Sequence, residues 1–446
     1  MDQFLHRSRV TKALVERDGG VATFGEAEVL LSSARITIVV SAEAMATAAG
    51  QAAALTAANA GVRTFGTTRV AGAVDVPLIR PMGGWKTVRE ALVDLGAECA
   101  AAAPFDATHV ITIGGTPPSL PDSVFRVRCT VDGWNAGIER GERPLDPARA
   151  WNPLAGVFAG ALAVREIFAN VRGTRSYARG ATVNLWAPWL GPGQQAEAPT
   201  VLYMPNHVHM VGLGHLGQAC LWATGFLQGA GRLVLQDYQF AGEENLATGL
   251  ITSPSDVKKR KTRIASRWVE AIGWETSLIE ARFLEGTPID EHAPSLVISA
   301  LDSPVPRRHV LSAGFRNMID LGVGHGAADF EYGQLRAFRR GDAPTWATGA
   351  SEREPGKVLE LAAYRALGVT DQCGAFQLAS ASVAVPFVGA AFGALAVAMS
   401  LRLGAMEQVP RLLQTQLSAP ELVRVGSSLP APTENIGTTE IALPGR

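Results

Sequence analysis

The run Val208-His209-Met210-Val211-Gly212-Leu213-Gly214-His215-Leu216-Gly217 constrains this chain more than any other. An apolar strand meets a Gly-x-Gly-x-x-Gly turn and a helix follows. A second strand, Arg232-Leu233-Val234-Leu235-Gln236, then ends in Asp237. The pattern predicts a nucleotide-binding βαβ unit. Gly212 permits the tight turn, Gly214 lets the backbone approach a phosphate, and Gly217 lets helix and strand pack closely. The helix start offers unpaired N–H groups to an anion, and an acid after the second strand suits ribose hydroxyls. Dehydrogenases and flavoproteins share this turn, so the residues beyond Asp237 must decide the chemistry.

The chain of 446 residues exceeds one ordinary core, so two domains or two fused halves are expected. A net charge of −1 gives no electrostatic reason to expect nucleic acid or a membrane surface as partner. The one dense basic run, Lys258-Lys259-Arg260-Lys261, reads as a solvated helix face. Cys99, Cys129, Cys220 and Cys373 stand far apart without a C-x-x-C pair, so no structural zinc is expected and a reducing cytoplasm suits them. The N-terminus has no apolar signal core. The uncharged stretch from Ser380 to Leu401 is rich in Ala and Gly and carries Pro386, which favours a buried core helix over a membrane span.

The chain repeats itself. Gly160-Ala161-Leu162-Ala163-Val164 recurs as Gly393-Ala394-Leu395-Ala396-Val397. The strand from His109 to Ile113, running into Gly114-Gly115, resembles that from Leu296 to Ala300, running into Leu301-Asp302. Ile36 to Val40 precede an Ala-rich helix as Val208 to Val211 precede theirs. The order of the three matches is the same in both halves. The first half, however, has Val40, Ala42 and Met45 where the second has Gly212, Gly214 and Gly217, and Gly115 where the second has Asp302. Side chains there would crowd a phosphate path. The reading is an α/β pseudo-dimer of two tandem Rossmann-like halves, inactive then active. The first half covers 1–170, a Pro/Gly-rich linker or crossover 171–205, the active half 206–425, and a C-terminal tail 426–446.

Past Asp237 come Glu244-Asn245-Leu246, then Lys261-Thr262-Arg263, and later Asp302 with Arg307. In this order the second half resembles the ubiquitin-activating superfamily, the ThiF/MoeB-like adenylyltransferases. The silent half resembles the inactive adenylation half of two-headed activating enzymes. The nearest likeness is to the activating enzyme of bacterial ubiquitin-like conjugation operons of the BIL antiviral type. The resemblance implies ATP and Mg²⁺ as cofactors. Asp237 would hold the ribose, Asn245 and Lys261 the phosphates, and Asp302 the metal. The family's Asn-Leu-x-Arg reads Asn245-Leu246-Ala247-Thr248, so one arginine is missing. Arg260 or Arg263 could replace it. The family also takes an arginine from near the N-terminus of the partner half, where Arg7 or Arg9 could serve, Arg9 by preference.

Cys373 precedes the final apolar helix, where the family carries on a crossover loop the thiol that bonds the activated carboxyl protein. Cys220 reads as packing. His207 and His209 read as structural, and His215 within the turn could touch a nucleotide. The resemblance thus implies an ATP-dependent enzyme that adenylates the C-terminus of a ubiquitin-like protein. It would then form a thioester on Cys373 and pass the acyl group to a conjugating enzyme. A sulfur-carrier adenylyltransferase, a nicotinamide-dependent oxidoreductase and a non-catalytic nucleotide scaffold remain alternatives. Against the first stand the silent half and the missing C-x-x-C. Against the second stands the joint presence of Lys261 and Asp302.

Overall fold

The computed structural model describes residues 6–441 apart from 18, 103–105, 116–118, 141–145, 175–179, 192–200, 228, 230, 290–291, 344–354 and 368–371. Two large sheets form its α/β frame. The first takes β1 (Ile36–Val40), β2 (Thr68–Gly72), β3 (Glu98–Ala100), β4 (His109–Ile113), β5 (Phe125–Asp132), β6 (Asn135–Glu139) and β7 (Ala181–Asn184) in the order β3-β2-β1-β4-β5-β6-β7. The second takes β8 (His207–Val211), β9 (Gly231–Gln236), β10 (Trp274–Ile279), β11 (Leu296–Ser299), β12 (Asn317–Val323), β13 (Tyr332–Arg339), β14 (Leu412–Gln416) and β15 (Ala419–Val425) in the order β10-β9-β8-β11-β12-β13-β14-β15. Strand for strand these are the same topology, with one strand added at the end of the second. In each, the first five strands run parallel and those after them antiparallel. The registers agree as well: Ile36 faces His109 and Val208 faces Leu296. That pairing sets Val40 opposite the place of Gly212, as the sequence repeat requires.

The helices that matter are α1 (Ser8–Val15), α2 (Ala48–Phe65), α3 (Pro153–Val171), α4 (His215–Gly225), α5 (Lys261–Glu270), α6 (Pro304–Ser312), α7 (Gln372–Ser380) and α8 (Pro386–Gly404). Small residues let them pack backbone to backbone. A Cβ on Gly160 of α3 would come 2.5 Å from the Ala53 carbonyl of α2, and one on Gly393 of α8 would come 2.6 Å from that of Ala219 on α4. The two Gly-Ala-Leu-Ala-Val runs therefore do the same packing job in both halves. α3 and α8 are each long and apolar enough to span a membrane by length and composition, and both are buried within the fold. The stretch that reads as linker contributes more than a connection. β7 completes the first sheet, and Trp186 beyond it is fully buried against Trp134, their ring centroids 4.9 Å apart. Its prolines and glycines mask a strand too short to register as a periodic pattern.

The halves share one core and a buried ion triad. Arg165 on α3 donates through Nε and Nη2 to the two carboxylate oxygens of Glu331, each at 2.9 Å, and through Nη1 to Glu166 at 2.6 Å. All three are buried. Glu331→Ala takes two charge-assisted hydrogen bonds from the buried Arg165 guanidinium while its bond to Glu166 remains, so the variant should destabilise the chain by about 2–4 kcal/mol. Urea unfolding of the two proteins checks this, and a shift under about 1 kcal/mol would contradict it.

Candidate nucleotide site

The site grows out of the turn between β8 and α4. Gly212 has φ +89°, and a Cβ there would meet the Ala300 carbonyl at 2.8 Å. A Cβ on Gly217 would lie 2.0 Å from the Gly212 carbonyl, so only glycine lets the helix lie on the turn. Gly214 differs: a Cβ there would meet nothing within 4 Å. Its φ is −80°, and no side chain caps the helix it begins. The turn thus presents uncapped N–H groups to an open space, an arrangement that accepts an anion.

That space is a cavity of about 410 Å³ at the carboxyl ends of the second sheet's strands. Its walls bring together Gly212, Gly214, Asp237, Asn245, Lys261, Asp302 and Arg9. Asp237 accepts the Leu213 N–H at 2.8 Å through one oxygen and the Gln239 N–H at 2.8 Å through the other, so it also fastens the glycine turn. Asn245 accepts the Gly242 N–H at 3.0 Å through Oδ1. Lys261 is buried at the first position of α5 and donates to Gln239 Oε1 at 2.7 Å. Burial lowers the pKa of its ammonium, while the carboxylates of Asp237, Glu244 and Asp302 act the other way. The basic run is therefore no helix face. The helix begins only at Lys261, Lys258 holds a positive φ of 68°, and Lys259 pairs with Asp256.

Asp302 stands exposed between β11 and α6. Arg307, one helical turn on, reaches back to the Leu301 carbonyl through Nε at 2.8 Å and pairs with buried Asp320. Burial raises the Asp320 pKa, with Arg307 and Ser299 opposing. The Asp-x-x-x-x-Arg spacing thereby becomes a clamp on the peptide just before Asp302. Among the described residues no three His, Cys, Asp or Glu side chains gather as a metal site. A Mg²⁺ ion here would rest on the Asp302 carboxylate plus substrate phosphates, which suits an ion that keeps few protein ligands.

Of the candidate arginines, only Arg9 lines the cavity. Its Nε donates to the Ser382 carbonyl at 2.9 Å. Arg7 turns to Glu28 and Ser32, Arg260 to the Tyr238 carbonyl and the Phe240 ring, and Arg263 to Glu280. The segment before α8 is laced to the site from both sides. Val383 N–H donates to the His325 carbonyl at 2.8 Å, and His215 Nε2–H donates to that of Val385 at 2.9 Å. Burial brings the His215 pKa down to about 4, so the ring is neutral at neutral pH. His209 packs between Phe283 and Phe315 and bonds Gln236 at 2.9 Å. Cys220 is buried in α4, its thiol pushed up to about 12. Cys373 falls in the first turn of α7 rather than in a loop, and its side chain lies outside the described residues. Gln239, Ser382 and His325 escaped the sequence reading because no spacing marks a residue whose partner is remote in the chain.

The first half builds the equivalent turn differently. After Val40 the chain makes the short helix Ala42–Met45 before α2 begins. Ser41 caps it, its Oγ accepting the Ala44 N–H at 3.2 Å. The loop after β4 sits directly on this turn: a Cβ on Gly114 would meet Ser41 Oγ at 2.6 Å, and one on Gly115 would meet Ser41 Cβ at 2.9 Å.

Two Rossmann-like halves on one core, with the strand ends parted around a glycine turn in the second, define an E1-like architecture. The chain belongs to the BilD family. The BilD N-terminal domain matches residues 35–185 and the BilD C-terminal domain residues 204–406. It is 31% identical over 404 residues, 86% of each chain, to the bacterial E1-like protein BilD of Collimonas sp. (strain OK412). Among solved structures it is similar to E. coli MccB with ATP, at 14% identity and a TM-score of 0.34, covering 52% of this chain and 66% of that one. E. coli MccB with AMPCPP and SeMet-labelled MccA gives 16%, 0.34 and the same coverage.

Proposed function

We propose that this chain activates the C-terminal carboxylate of a ubiquitin-like protein by adenylation, using one ATP bound in its second half. The observation that carries the reading is that Arg9, Asp237, Asn245, Lys261 and Asp302, scattered over almost three hundred positions, line one cavity with the open glycine turn. Family membership supports the same conclusion, since the Collimonas relative is described as E1-like. We take the first half (1–170) as silent, because Ser41 caps its own turn and the Gly115 loop covers it. The connecting stretch (171–205), the active half (206–425) and the tail (426–446) complete the division.

In the reaction two anions must meet, a carboxylate and an α-phosphate. Asp237 orients the ribose, the Gly214 turn and Asn245 bind phosphate, and Lys261 and Arg9 offset charge that builds in the transition state. Lys261 is well placed for this, since a desolvated ammonium acts strongly on a nearby anion. Bound at Asp302, Mg²⁺ would neutralise phosphate charge. The carboxylate oxygen bonds phosphorus and pyrophosphate leaves. In the second step the Cys373 thiolate attacks the acyl carbon, AMP leaves, and the thioester passes to the thiol of a conjugating enzyme. ATP–pyrophosphate exchange tests the first step. Exchange should require Mg²⁺ and a ubiquitin-like protein with a free C-terminal carboxylate. The same protein amidated at its C-terminus should support none. Equal exchange with the amidated form would defeat the proposal.

A further inference from the structure

A silent half raises the question of what it contributes beyond bulk. Asn59 and Arg63 lie one turn apart near the end of α2, in the first half. Asn59 is fully buried and donates to the Leu250 carbonyl at 2.9 Å. Arg63 donates through Nε to Asn59 Oδ1 at 2.5 Å. Its guanidinium also donates to the carbonyls of Leu246, of Leu250 at 3.4 Å and of Thr252 at 2.8 Å. All three carbonyls belong to the second half, on or just after the single-turn helix Asn245–Thr248. A helix end leaves its last carbonyls without internal partners, and a cation there also suits the helix dipole. Burial brings the Arg63 pKa down to about 10, so it is charged at neutral pH.

The same turn is gripped from the other side. Gln218 of α4, itself buried, accepts the Ile251 N–H at 3.2 Å and the Thr252 hydroxyl at 2.9 Å. Its Nε2 donates to the Leu213 carbonyl in the glycine turn at 3.2 Å. Leu213 N–H in turn holds Asp237 at 2.8 Å. A continuous chain of hydrogen bonds therefore runs from Arg63 through the 250–252 turn to Gln218, the glycine turn and Asp237, with Asn245 directly ahead of Leu246. Thr248, where the family pattern has arginine, turns its hydroxyl back to the Glu244 carbonyl at 3.0 Å.

We propose that Arg63, seated by Asn59, is a positioning residue through which the first half holds the nucleotide site of the second in its binding geometry. This rests on reading that site as an ATP site. A purely adhesive role would be shared by other bonds across the same interface. Thr56 of α2 accepts the Trp222 indole N–H of α4 at 3.0 Å and makes no hydrogen bond to the 245–252 segment, so it provides the comparison.

Mg-ATP affinity by calorimetry and the melting temperature are measured on the full chain for wild type, Arg63→Ala, Arg63→Lys, Asn59→Ala and Thr56→Val. Arg63→Ala should weaken Mg-ATP by about tenfold, the order expected for losing charge-assisted hydrogen bonds. Arg63→Lys should recover part of that. Thr56→Val should lower the melting temperature and leave affinity within about twofold. Unchanged affinity in Arg63→Ala overturns the proposal, as does equal weakening in Thr56→Val. If Arg63→Ala fails to fold, Asn59→Ala decides: weaker binding at a retained fold supports positioning, and wild-type affinity overturns it. A wild-type chain that does not bind Mg-ATP overturns the nucleotide reading itself.

Discussion

Asp302→Ala should leave a folded chain that has lost ATP–pyrophosphate exchange by about a hundredfold or more, the scale of removing one transition-state contact. The carboxylate is exposed at the cavity wall, between β11 and α6, so little packing goes with it. Arg307 fixes the Leu301 carbonyl and not the Asp302 side chain, so the loop keeps its path in the variant. The loss should fall on turnover more than on ATP affinity, because the glycine turn, Asn245, Lys261 and Arg9 remain. Exchange kinetics at saturating and limiting ATP separate the two. Exchange at the wild-type rate would remove Asp302 from the chemistry. Arg307→Ala is the contrasting case. It frees the Leu301 carbonyl and leaves Asp320 buried without its cation, so both stability and exchange should fall.

Cys373→Ala should separate the two steps. Exchange with the ubiquitin-like protein should continue, and the adduct between the two proteins that reducing agent cleaves should disappear entirely. Cys373 opens α7, and α7 leads into the 381–385 segment that Arg9, His325 and His215 bind at the cavity wall. Cys220→Ala is the control. Its thiol is buried and pushed up to about 12, so it carries almost no thiolate at neutral pH, and both activities should persist. Non-reducing gels with and without thiol, beside exchange rates, read both outcomes. An adduct that survives in Cys373→Ala would place the nucleophile elsewhere.

What the sequence carried was local or repeated. The glycine turn, Asp237 and the Lys261 helix start are short-range patterns, and Gly212 and Gly217 each prove to have a geometric reason. The repeat was legible because Gly160 and Gly393 meet the same kind of neighbour, a backbone too close to tolerate a side chain. What stayed hidden depends on folding remote segments together. Nothing near Arg63 marks it as the partner of the Leu250 carbonyl, and nothing near Ser382 points to Arg9. β7 hid for a different reason: four residues among prolines and glycines carry no period to detect. The lost glycines pointed to a first half built differently at this turn, but no motif marked how. Ser41 caps the turn, and the extra helix Ala42–Met45 delays α2.

One ATP per chain, bound by the second half, is the claim on which the rest depends. It is tested by titrating the full chain with Mg-ATP and with NAD in a calorimeter, beside Gly214→Val. That substitution should keep the fold, since a Cβ there meets no protein atom within 4 Å. Its side chain would stand where a phosphate must approach. The account predicts one equivalent of ATP, no useful binding of NAD, and loss of ATP binding in Gly214→Val. Two equivalents of ATP, tighter binding of NAD, or full affinity in Gly214→Val would contradict it.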